Sequence, residues 1–286
     1  MRVGFITQLL WDRYGAFWRH LLEDTDIEVR LAKPESVQAQ LQDARLHPIP
    51  GWAFRLAGAQ ALALGDCDLL LVPDLNPASE VARGGGQDPW IASFPEALEA
   101  SISGLPPVRA VPASLDTDLE PLAVELLLNL SRDPGKVRRV WARHRGRLPT
   151  QSPAELSLPP ASGSHEVVGL VGQPWLLTER LERRLQEEGT TLVSQSVLSP
   201  ARLREEGWRA DERLIGTDAE VLGAARYFGR RGGVDRLMLV LDKTSGVDGW
   251  LAVQVERRAH KPLSKVYLQD LAAADELPAL LLEPPK

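Results

Sequence analysis

A single cysteine, Cys67, stands in a chain of 286 residues. One cysteine cannot close an intrachain disulfide, build a Cys-rich zinc site or hold an iron–sulfur cluster by itself. Histidine is scarce as well: His20, His47, His144, His165 and His260 are the five, and no two of them share metal-ligand spacing. There is no excess of positive charge. The net charge is −6, which argues against nucleic acid or an anionic membrane surface as the main partner, because both need a basic footprint. No apolar run approaches the roughly 18 residues of a membrane span. The opening Met1–Ile6 is too short an apolar stretch for a signal peptide. The expected compartment is therefore the cytoplasm. No Gly-Lys-Ser/Thr phosphate-binding element occurs, which removes the Walker-type triphosphatases.

What remains has the composition of an ordinary globular protein, 44% hydrophobic and 25% charged. The length suggests about two domains. Strand and helix alternate along residues 1–148. Expected strands are Arg2–Ile6, Ile27–Leu31, Asp68–Val72 and Pro107–Val111. Helices are expected at Asp12–Glu23, Ala53–Leu64, Pro95–Ser101, Leu119–Leu130 and Lys136–Arg145. The stretch 149–164 is rich in Pro and Ser and reads as a linker. The rhythm then restarts over 165–286. Strands are expected at Glu166–Val171, Thr191–Val193, Val234–Leu241 and Pro262–Leu268, with helices at Trp175–Glu187, Asp218–Arg230 and Val247–Arg258. The tail Leu277–Lys286 carries three prolines and is expected to fray. Strands alternating with helices imply parallel βαβ units. The expected fold is α/β: two Rossmann-like parallel-sheet domains with a cleft between them.

Ligands in such sheets sit outside the carboxyl ends of the strands. Four segments qualify: Thr7–Trp11, Pro73–Asn76, Gly172–Trp175 and Asp242–Asp248. In the third, Gly172 and Gln173 precede Trp175 at a helix start, which suits an anion or a plain tight turn. The last follows the most hydrophobic strand of the second half. There Ser245 or Asp248 serves as a helix cap or faces a ligand with Gly246. Gly84-Gly85-Gly86 reads as a surface loop or, less directly, a phosphate cradle. His144 falls in a basic helix, Lys136–Arg147, whose charged face is expected in solvent. Cys67, between Asp66 and Asp68, reads as a buried, unreactive thiol. Five of the eight tryptophans, Trp11, Trp52, Trp90, Trp175 and Trp250, fall near strand ends. They either pack the core or line an apolar pocket.

Four stretches in one order carry a family resemblance: Val3–Arg19 with Gly4, Tyr14, Phe17 and Trp18; Val168–Leu177; Glu220–Tyr227; and Val234–Gly249. The chain resembles the subunits of the 2-hydroxyacyl-CoA dehydratases (the 2-hydroxyglutaryl-CoA dehydratase and benzoyl-CoA reductase group). It looks most like the uncharacterised domain that accompanies their activator. The resemblance implies the two-domain fold. In the family, cysteines hold a four-iron cluster. Here the matching positions are near Gly51–Arg55, at Asp88 before Pro89-Trp90, and at Ser245 in Ser245-Gly246-Val247-Asp248. None is cysteine, and neither serine nor glycine replaces a thiolate. The expectation is a pseudoenzyme-like protein without the cluster and with no metal. It would bind a small acid, an acyl-CoA thioester or a related subunit, with a dimer among the forms expected. The alternative is a cluster-free enzyme, or the subunit of a complex whose partner carries the cluster. In that case Asp88, Ser245 and Asp248 are the catalytic candidates. The ligand-binding candidates are Trp11, Arg55, Gly172, Gln173, Trp175, Ser245, Gly246 and Asp248.

Overall fold

A computed structural model describes residues 1–75, 88–115, 118–147 and 166–282. The expected linker at 149–164 and the Gly84-Gly85-Gly86 loop lie outside the described residues. Among the described residues, eight strands form two four-stranded sheets with every pairing parallel. In the first half β1 is Arg2–Phe5, β2 Glu28–Leu31, β3 Leu69–Asp74 and β4 Val108–Pro112. In the second, β5 is Glu166–Gly172, β6 Thr190–Ser194, β7 Arg236–Leu241 and β8 Leu263–Tyr267. The strand orders are β2-β1-β3-β4 and β6-β5-β7-β8, so the two halves repeat one topology. Each order reverses beside its first strand, between β1 and β3 and between β5 and β7, and ligands bind at such switch points. No helix among the described residues is long and apolar enough to cross a membrane.

The helices of the first half are α1 (Trp11–Glu23), α2 (Pro34–Gln40), α3 (Trp52–Ala63), α4 (Pro89–Ala92), α5 (Phe94–Ser101), α6 (Glu120–Ser131) and α7 (Pro134–His144). Those of the second are α8 (Glu179–Leu185), α9 (Pro200–Trp208), α10 (Gly216–Gly229), α11 (Gly246–Arg258), α12 (Leu268–Leu271) and α13 (Leu277–Leu281). The central strands β3 and β7 read as unbroken apolar runs because both of their faces are covered. Alternate residues then feed different cores. Leu69 and Leu71 join β1 and α1 in one, while Leu237, Leu239 and Leu241 join α10 in another. Leu70, Val72, Met238 and Val240 meet in a third core that both sheets share with α3 and α13.

Three expectations are corrected. The helix expected at Trp175–Glu187 is a 3-10 turn, Pro174–Leu176, followed by the separate α8. The break comes at Thr178, whose hydroxyl accepts from the Leu181 N–H and so starts a new helix. The tail does not fray over its described part. α13 is held by hydrogen bonds from Thr178 Oγ1 to the Leu280 carbonyl (2.7 Å) and from the Arg180 guanidinium to the Ala279 carbonyl (2.8 Å). His144 is not on a solvated face: it is 2% exposed, with Nε2 2.9 Å from Asp24. That contact heads the causes holding the Asp24 carboxyl below its usual range. Cys67 lies just before β3, buried, and burial above all pushes its thiol up.

Candidate functional site

The carboxyl end of β7 meets the amino end of α3 across the junction between the halves. Gly51, at φ +73°, turns the chain into α3 and sets its N–H on the Thr244 carbonyl (3.2 Å). The next N–H, of Trp52, donates to Asp242 Oδ2 at 2.5 Å. Asp242 thus caps a helix of the other half, as a carboxylate at a helix amino end should. Its Oδ1 accepts from the Thr244 N–H (2.8 Å), the Thr244 hydroxyl (2.6 Å) and Gln269 Nε2 (2.6 Å). The Asp242 N–H in turn donates to Asp248 Oδ2 at 2.7 Å. Ser245 occupies the cap position of α11 without a side-chain cap hydrogen bond. Asp242 was missed as a site residue in the sequence. Its one signal was a charged residue directly after the strongest apolar run.

Gly51 and Ser245 lie side by side: a Cβ built on Gly51 would lie 3.6 Å from Ser245 Cβ and 3.6 Å from Asp242 Oδ2. The space enclosed there with Asp248 is about 10 Å³, near the lower limit for a single water. Asp88 stands on the next cavity, of about 820 Å³, together with Pro50 and Gly246. These two are the chain neighbours of Gly51 and Ser245, so the three segments surround one place. Asp88 also caps α4, its Oδ1 accepting from the Trp90 N–H at 2.9 Å.

A residue absent from the sequence candidates, Asp218, lines the same cavity from the first turn of α10. Gln173 Nε2 donates to its Oδ1 at 2.8 Å. Burial pushes the Asp218 carboxyl up to about 7; the Gln173 hydrogen bond opposes this and the charge of Asp88 adds to it. Burial likewise raises Asp248 to about 7, with the charge of Asp242 adding and its N–H opposing. Two carboxyls are thereby poised near neutral pH, where a group can both take and give a proton.

A second cavity, of about 400 Å³, opens where the ends of β1, β5 and β6 approach, between Thr7 and Gln8 on one side and Thr178 and Gln195 on the other. Trp11 and Trp175 are both in its wall. Each is also anchored in packing: Trp11 edge-on to Phe5 (5.3 Å) and Tyr14 (5.7 Å), Trp175 against Phe54 (5.4 Å). The turn into α1 puts Leu9 (φ 69°) and Leu10 (φ 70°) in the left-handed region, and α1 starts without a side-chain cap. Gln60 holds this turn, its Oε1 accepting from the N–H groups of Thr7 (2.8 Å) and Gln8 (3.0 Å).

Other candidates take structural places. The Gly172 N–H and carbonyl are both bonded to the Gln195 amide, at 3.2 and 2.8 Å, so they are engaged within the protein. Its lack of a side chain is a packing need, because a Cβ would sit 3.0 Å from the Val240 carbonyl. Arg55 stacks on the Trp52 ring at 4.9 Å and lines neither of the two larger cavities. Among the described residues no group of three or more His, Cys, Asp or Glu is arranged to hold a metal ion. Comparison with family models, with curated proteins and with solved structures finds no match for this chain.

Proposed function

We propose that the chain is a dehydratase-like binding protein that works without an iron–sulfur cluster and holds a small acid or its acyl-CoA thioester at the junction of its halves. One observation carries this reading: a cavity of about 400 Å³ opens at the strand ends between the halves, walled by Thr7, Gln8 and Trp11 on one side and by Trp175, Thr178 and Gln195 on the other. The positions that match the cluster ligands hold a glycine, a carboxylate and a hydroxyl, Gly51, Asp88 and Ser245. That set does not meet the thiolate preference of a four-iron cluster. The acid or thioester carbonyl suits the second cavity, where the amino end of α1 and the hydroxyl of Thr7, which only accepts within the protein, supply donors.

The test is a thermal-shift series on the purified chain with acyl-CoA thioesters and their free acids, beside iron analysis. A ligand at 100 times its Kd adds about 2.7 kcal/mol to stability, so a clear rise in Tm is expected with at least one of them. Iron is expected far below one atom per chain. Stoichiometric iron, or no shift with any acid or thioester, overturns the reading.

The carboxyls near 7 favour a second reading, a cluster-free enzyme using Asp218 or Asp248 as the acid–base group. It requires turnover of a 2-hydroxyacyl thioester that changes through about pH 7 and is lost in Asp218→Asn or Asp248→Asn. Turnover that persists in both variants eliminates it.

A further inference from the structure

The cavity of about 820 Å³ beside Asp88 has a lining unsuited to an anion. Its charged residues are Asp88, Asp211, Asp218 and Arg213. Asp211 holds the Arg213 guanidinium with two hydrogen bonds of 3.0 Å, so that pair is close to neutral as a unit. Asp88 and Asp218 remain. Both α10 and α11 begin at this cavity, and helix amino ends favour anions. Each already has an aspartate in its first turn, Asp218 and Asp248, which opposes that field in its ionised form.

The apolar walls point the same way as the charge. Trp90 and Trp250 line the cavity, and Trp250 on α11 is 43% exposed. Aromatic faces beside carboxylates are the surroundings that an alkylated or primary ammonium ion prefers.

We propose that this cavity binds an organic ammonium ion, its charge against Asp88 and Asp218 and its apolar part against Trp90 and Trp250. The proposal rests on the reading of the chain as a small-molecule-binding protein and adds a second ligand class at a separate cavity. Burial of Asp218 supports it, since a cation would restore the ionised form that desolvation disfavours.

Isothermal titration of the full chain with 2-phenylethylammonium and benzyltrimethylammonium, against 3-phenylpropanoate of similar size, tests it. The ammonium ions are expected to bind at least about tenfold more tightly than the carboxylate, and Trp250→Ala to weaken them by about tenfold. Trp250 is exposed, so that variant is expected to fold; Asp218→Asn, isosteric, is expected to weaken the same ions. Equal or tighter binding of the carboxylate, or undiminished binding in Trp250→Ala, overturns the proposal. Acyl-CoA or acid binding with both ammonium ions inert overturns it and leaves the binding-protein reading standing. Inertness toward every probe overturns both.

Discussion

Asp218 and Asp248 are single residues whose burial makes the whole protein sensitive to pH. Each carboxyl stands near 7 in the folded chain and near its ordinary 3.8 when unfolded. Below 3.8 both states are protonated and nothing is lost. Between there and about 7 the unfolded chain releases protons that the folded chain keeps. Stability therefore falls as pH rises, by about 1.4 kcal/mol per pH unit for each group, and levels off above 7. Asp248→Asn keeps an acceptor for the Asp242 N–H and removes the titration. It is expected to melt higher than the parent at pH 8 and close to the parent at pH 4. Denaturant melts across that range check it, and equal melting at pH 8 would contradict the burial argument. Asp218 was illegible in the sequence because an aspartate three residues into a helix is a common exposed residue. Only the contacts of Gln173 and the cavity wall single it out.

At the scale of elements, α9 and α10 cross unusually closely, and the sequence explains how. A Cβ on Gly223 would fall 1.8 Å from the Leu203 carbonyl oxygen, and one on Gly207 would fall 2.0 Å from that of Ala219. Both obstacles are backbone, so neither can step aside cheaply. Gly223→Ala is expected to cost about 3 kcal/mol, at the upper end for overpacking, or about 6–12 °C in Tm for a chain of this class. Calorimetry checks it, and a shift under about 2 °C on the same scale would show that the helices separate freely. The sequence reading had Asp218–Arg230 as a helix and placed none over α9. Pro200–Trp208 is mostly polar, with Leu203, Arg204 and Gly207 as its buried residues, so its periodicity is faint. The central strands β1, β3, β5 and β7, by contrast, were legible, because buried parallel strands are largely apolar runs.

At the scale of the molecule, the halves are joined by packing and by polar contacts. The third core includes residues of both sheets. Arg13 on α1 makes a two-pronged ion pair with Glu220 on α10, at 3.0 and 2.8 Å, and Glu220 is 1% exposed. Asp242 of one half caps α3 of the other. A chain held this way is expected to unfold in one transition, with calorimetric and van't Hoff enthalpies equal. Asp242→Ala strands several half-buried donors at once, those of Trp52, Thr244 and Gln269, and is expected to lower stability by about 2 kcal/mol while keeping that single transition. Two resolved transitions in the parent would show that the shared core does not couple the halves.

The sequence by itself determined the fold class, the β/α rhythm of each half, and the exclusion of disulfides, because these depend on local periodicity and on which residue types are present. It also singled out the segment Asp242–Asp248 and the positions Gly51, Asp88 and Ser245. The tertiary structure alone decided what those positions face. Asp242 reaches a helix start 190 positions away in sequence, Asp218 gains its high carboxyl pKa from burial, and Trp250 stays at a cavity mouth instead of entering a core. Charge burial and convergence are properties of neighbours that the chain supplies only once it is folded.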